Sequence, residues 1–117
     1  MEQSIMKQRL LESVIFYVMA VKKEEKWNLN EVIKIIKCSK KRFEKELFVI
    51  HQDHPARVSY KELSNLKEED YKEIVKDLIK NIKDYTKNQS NKFLGFINFL
   101  FSSYAPTVKA LITLFVP

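Results

Sequence analysis

The scarcity of glycine constrains this chain more than any other feature, because its 117 residues contain one glycine and three prolines. Glycine supplies the backbone conformations that tight turns need, so a many-stranded sheet joined by short hairpins is disfavoured. Long helices joined by polar links require few such residues. With 45% hydrophobic and 31% charged residues, the chain can bury one modest core or two very small ones. We therefore expect a mostly α protein.

Apolar residues recur at the spacing of a helix face along most of the chain. Helices are predicted over about 4–22, 29–37, 40–50, 68–85, 91–102 and 106–115. The last two predicted helices are very apolar, but Ser102, Ser103, Pro106 and Lys109 interrupt them. A spanning helix needs roughly 20 apolar residues without such interruptions, so we predict no membrane association.

The segment between the third and fourth predicted helices has a different pattern. Val58 and Tyr60 alternate as they would on one face of a short strand, and Ser64-Asn65 could turn the chain. A small β wing is therefore predicted here. His51, Asp53 and His54 lie close together beside Pro55, a pattern more typical of a solvated connector than of a metal site. We predict no metal and no cofactor.

Residues 28–47, NLNEVIKIIKCSKKRFEKEL, have the pattern of a helix-turn-helix. Ser39 is a good N-cap for the second helix, whose inward residues would be Phe43 and Leu47. Five of the nine residues from Lys37 to Lys45 are basic, in a chain of net charge +6. A capped helix start with a basic outer face can contact phosphates and enter the major groove. Predicted DNA contacts are Ser39, Lys40, Lys41, Arg42 and Lys45, with Arg57, Tyr60 and Lys61 from the wing.

Two segments resemble the Mga/AtxA-type regulators of Gram-positive bacteria. KWNLNEVIKIIKCSKKRFEKELFVIHQ is similar to the first helix-turn-helix of that family, and SNKFLGFINFLFSSYAPTVKALITLFVP to the start of its second winged helix. Between them, VSYKELSNLKEEDYKEIVKDLI fits a wing and a linking helix. The resemblance implies a winged helix-turn-helix DNA-binding domain over 1–66, a linking helix over 67–88, and an apolar helix pair over 89–117 that begins a second helix-turn-helix.

One departure from the family is plain. The family continues into a second recognition helix, whereas this sequence stops at Val116-Pro117. We expect either an amino-terminal fragment of a longer regulator or a naturally shortened protein, with DNA contacts mainly from the first unit. The tetracycline-repressor type of helix-turn-helix also aligns with residues 28–47, but an all-helical repressor has no place for the predicted wing.

These features predict a cytoplasmic transcription regulator that binds double-stranded DNA as a homodimer, with no small-molecule ligand. The single cysteine cannot form an internal disulfide, and no signal-peptide pattern is present. No phosphate-binding loop or nucleophile–base spacing favours an enzyme. The alternative is a small helical protein-interaction module. Its predicted interface, which would also serve self-association, comprises Phe93, Phe96, Leu100, Leu111, Leu114 and Phe115.

Overall fold

A computed structural model describes residues 2–86 of the chain. This part contains five α-helices: α1 (Glu2–Val21), α2 (Leu29–Ile36), α3 (Lys40–Leu47), α4 (Pro55–Tyr60) and α5 (Glu68–Thr86). Short 3-10 turns occur at Glu24–Lys26 and Leu63–Asn65. The prediction of a mostly α protein is therefore confirmed over these residues. The helix pair predicted over 89–117 lies outside the described residues.

Helix α1 lies at the centre of the part of the chain that the structure describes. Every residue from Leu10 to Val18 is buried, including Glu12 and Ser13. A helix that is buried around its whole circumference needs neighbours on all sides. Helices α2, α4 and α5 provide them, since each packs against α1. The buried Glu12 carboxylate accepts hydrogen bonds from Gln8 Nε2 at 3.0 Å and Ser59 Oγ at 3.4 Å.

Helices α2 and α3 form a hairpin with a three-residue turn, Lys37–Ser39. Asn28 begins α2 by accepting a bond from the Glu31 backbone N–H at 2.9 Å. The chain leaves α2 with Lys37 in a right-handed conformation, φ −74° and ψ −11°, so the turn requires no glycine. Ser39 then caps α3, because its Oγ accepts a bond from the Arg42 N–H at 3.2 Å. Both helices agree with the sequence prediction to within a few residues.

The prediction of a β wing is wrong. No strand occurs within residues 2–86, and the segment expected to begin the wing is helix α4. Pro55 occupies the first turn of α4, and His54 Nδ1 accepts a bond from the Ala56 N–H at 3.1 Å. Val58 and Tyr60 do not share a face, since Val58 is 58% exposed and Tyr60 only 5%. The buried residues are instead Ala56, Ser59 and Tyr60, at helical spacing.

The helix predicted to link two domains is part of the same core. It corresponds to α5, which packs against α1 and α2. Its inner face contributes Tyr71, Ile74, Leu78, Ile79 and Ile82 to the cluster that also contains the buried residues of α1 to α4. The hydrophobic core therefore continues across residue 66, where the sequence predicted a domain boundary.

Candidate nucleic-acid interface

The predicted recognition helix, α3, separates its residues by charge and polarity. Phe43 and Leu47 face the core and are 0% and 2% exposed. Lys41, Arg42 and Lys45 are all exposed. This is expected, because they lie on the side of the helix opposite the buried pair, whose members are four residues apart. These three cations form what we call the basic face of α3.

The two carboxylates of α3 are both partly buried. Glu44 Oε2 accepts hydrogen bonds from Lys40 Nζ and from the Tyr60 hydroxyl, both at 2.8 Å. Glu46 is partly buried, and its carboxylate adds to the rise that burial gives to the pKa of Tyr17. Among residues 2–86, no carboxylate forms an ion pair with the basic face. Within the described residues, its three charges are therefore left available to an external anion.

The amino end of α3 is also open to a ligand. Ser39, its N-cap, is exposed, and the first turn contains no acidic residue. The unpaired backbone N–H groups of a helix start carry partial positive charge. Lys37, exposed in the preceding turn, adds another cation nearby in sequence. The amino end and the basic face together favour a polyanion over a neutral partner.

Lys40 is not part of this open surface, although the sequence predicted it there. Its side chain is 13% exposed. Its Nζ donates to Glu44 Oε2 at 2.8 Å and to the Ser64 carbonyl oxygen at 3.1 Å. The ammonium group is thus occupied by partners within the protein.

The three contacts predicted from a wing have different surroundings in α4 and after it. Tyr60 is buried, with its ring edge-on to Phe43 at a centroid distance of 5.5 Å. Arg57 is partly buried; its guanidinium lies 4.9 Å from the centre of the Phe48 ring and donates to the Ile50 carbonyl oxygen at 3.1 Å. Lys61 is exposed. Only Lys61 is therefore fully available to an external phosphate.

A groove lies beside the carboxyl end of α3, and the sequence did not predict it. It has a volume of about 570 Å³. Phe48 and Val58 line it and are 69% and 58% exposed. The sequence signal was the run Leu47-Phe48-Val49, because three consecutive apolar residues cannot all face the core from one side of a helix. The remaining lining residues are Glu44, Leu47, Gln52, Asp53, Arg57, Tyr60, Lys61 and Ser64.

The remaining sequence predictions concern a metal site, a membrane span and an apolar interface. Residues 2–86 contain no cluster of three side chains able to hold a metal ion. His51 Nδ1 lies 3.8 Å from Asp53 Oδ2 on the exposed surface, while His54 caps α4. None of the helices in this part of the chain is long and apolar enough to cross a bilayer. The predicted interface residues Phe93, Phe96, Leu100, Leu111, Leu114 and Phe115 lie outside the described residues.

Comparison with known proteins does not assign the chain to a family. No protein-family model matches the chain, and no curated protein or solved structure matches it significantly. The resemblance to Mga/AtxA-type regulators therefore stays a prediction from the quoted segments.

Proposed function

We propose that this protein binds double-stranded DNA through α3 and acts as a transcription regulator. The observation that carries the proposal is the separation of charge on α3. Three exposed cations have no ion pair within residues 2–86, while Glu44 is bonded to Lys40 and Tyr60 and Glu46 is partly buried. A surface of this kind is suited to phosphates, each of which releases a condensed counterion when a cation neutralises it.

The residues of the basic face take different roles in this proposal. Arg42 lies in the first turn of α3, where recognition helices place their base-reading residues. Its planar guanidinium can donate two bonds to one guanine. Lys41 and Lys45 contact phosphates, and the Ser39 end of α3 directs its N–H groups toward the DNA backbone. Lys61 provides a further phosphate contact.

The proposal also includes dimerisation. A homodimer would read two half-sites, which is the usual arrangement for helix-turn-helix regulators. The proposed contacts between copies are the apolar residues between Phe93 and Phe115. An alternative function as a protein-interaction module rests on the same residues.

The test compares two triple variants in a fluorescence-anisotropy salt series with a pool of duplex DNA. One changes Lys41, Arg42 and Lys45 to alanine. Its matched control changes Lys72, Lys76 and Lys80, which are exposed on α5, and removes the same three charges. We expect the first variant to reduce the log–log salt slope by about two to three, at roughly 0.9 per lost phosphate contact, and the control to retain most of it.

Two outcomes would oppose the proposal. Equal losses in both variants would mean that binding depends on net charge rather than on α3. No binding by the unchanged protein, even at low salt, would favour the interaction module. Partner capture with variants at Phe96 and Leu114 would then be the next experiment.

A further inference from the structure

A small polar network joins α3 to the elements behind it. Lys40 Nζ and the Tyr60 hydroxyl both donate to Glu44 Oε2 at 2.8 Å, and Lys40 Nζ also donates to the Ser64 carbonyl oxygen at 3.1 Å. We call Lys40, Glu44 and Tyr60 the clamp. It connects α3 with α4 and with the Leu63–Asn65 turn.

The clamp is held in place by its surroundings. The Tyr60 ring is edge-on to Phe43 at 5.5 Å and to Tyr71 at 6.5 Å, so it also connects α3 with α5. The side chains of Lys40 and Glu44 are 13% and 25% exposed. Because these bonds are largely shielded from water, they are stronger and more directional than a surface ion pair.

The other groups that hold α3 in the core are mainly apolar. Phe43 and Leu47 bury its inner face, but burial of apolar surface is not directional and allows small rotations of a helix. Hydrogen bonds weaken steeply with angle and distance. A fixed bond network on one side of α3 can therefore set the rotation of the helix about its axis, and with it the direction of Arg42.

We infer that Lys40, Glu44 and Tyr60 are positioning residues for DNA recognition, and that Lys40 neutralises no phosphate. The inference rests on the proposed function. A small rotation of α3 would disturb short base contacts, whereas attraction between Lys41 or Lys45 and phosphates falls off slowly with distance. Loss of the clamp should therefore lower sequence discrimination and leave the salt slope unchanged.

The first experiment compares Lys40→Met with Lys41→Met. Each variant removes one positive charge from the same turn of α3. Binding is measured against a duplex selected by the unchanged protein and against a scrambled duplex, over a salt series. We expect Lys41→Met to reduce the slope by about 0.9. Lys40→Met should leave the slope as it is and lower the ratio of the two affinities roughly two- to tenfold.

The second experiment separates positioning from stability. Tyr60→Phe removes a hydroxyl that belongs to the clamp. Ser13→Ala is the control: it removes a hydroxyl outside α3, which donates a 2.7 Å hydrogen bond to the Ala56 carbonyl oxygen. Circular dichroism and denaturant unfolding establish that both variants fold and how much stability each loses. We expect a reduced affinity ratio for Tyr60→Phe and an unchanged ratio for Ser13→Ala.

The outcomes distinguish this inference from the function on which it rests. If Lys40→Met lowers the slope as much as Lys41→Met, Lys40 is a phosphate contact and the inference is wrong. An unchanged affinity ratio in Tyr60→Phe also overturns it, while DNA binding itself would stand. If the unchanged protein shows no salt-dependent binding, the proposed function fails and the positioning role fails with it.

Discussion

Three buried tyrosines should make the stability of this protein depend on pH in alkali. Burial raises the pKa of Tyr17 to about 12, and the nearby Glu46 carboxylate adds to the rise. Burial also raises the pKa of Tyr60, together with the adjacent Tyr71 and the hydrogen bond to Glu44. Tyr71 has a raised pKa for the same first reason. All three hydroxyls therefore stay protonated in the folded state well above the ordinary range of a phenol.

The free energy of unfolding should fall in alkali. A raised folded-state pKa favours the neutral hydroxyl, so its stabilisation is complete below the unfolded value of about 10. For Tyr17 the stabilisation is lost as the pH rises from about 10 through about 12. Urea unfolding at pH 9 and pH 11.5 measures the loss. Tyr17→Phe should show a smaller difference between the two pH values, and an equal difference would contradict this assignment.

The basic face could be predicted at the residue scale, but the clamp could not. Once α3 is a helix with Phe43 and Leu47 inward, its geometry directs Lys41 and Lys45 outward. Lys40 and Glu44 are also visible as a pair four residues apart. Their bonds to Tyr60 and Ser64 depend on how α3 lies against later elements, which no local pattern specifies.

At the scale of elements, periodicity predicted the longer helices well. Segments of eight residues or more repeat their apolar positions often enough to distinguish a spacing of 3.6 from one of two. Helix α4 has six residues, and its Val58 and Tyr60 alternate by chance like residues of a strand. The better signal was His54-Pro55, a cap followed by the residue preferred in a first helical turn.

Val58→Ala tests whether the segment Pro55–Tyr60 is a helix rather than a strand. Val58 is 58% exposed, so helix propensity outweighs packing there. Alanine is favoured over valine in a helix by roughly 0.5 kcal/mol, whereas valine is favoured in a strand. We expect the free energy of unfolding to stay the same or rise slightly in urea titrations. A clear fall would support the discarded wing.

At the scale of the whole molecule, one core unites all five described helices. Tyr71, Ile74, Leu78, Ile79 and Ile82 on α5 are each at most 9% exposed. Full burial of such side chains contributes roughly 1.5–3 kcal/mol each, so their sum is comparable with the 5–15 kcal/mol that usually stabilises a domain. The unit that folds should therefore include α5.

Removing α5 should abolish folding. A fragment of residues 1–66 corresponds to the domain predicted from sequence. It should lack a cooperative unfolding transition by circular dichroism, because α1 and α2 would lose the α5 side chains that pack against them. A fragment of residues 1–86 should retain one. A cooperative transition in the shorter fragment would show that α1 to α4 are sufficient and that the predicted boundary is a true domain boundary.

The central place of α1 also has a consequence for biosynthesis. Helix α1 precedes α2, α4 and α5, the described helices that cover it, and the last residue of the described core, Ile82, follows Val21 by 61 residues. At roughly 5–20 residues per second, a ribosome takes about 3–12 s to make that stretch. Local collapse takes well under a millisecond. The apolar surface of nascent α1 is therefore exposed for seconds before α5 can cover it, far longer than local collapse takes.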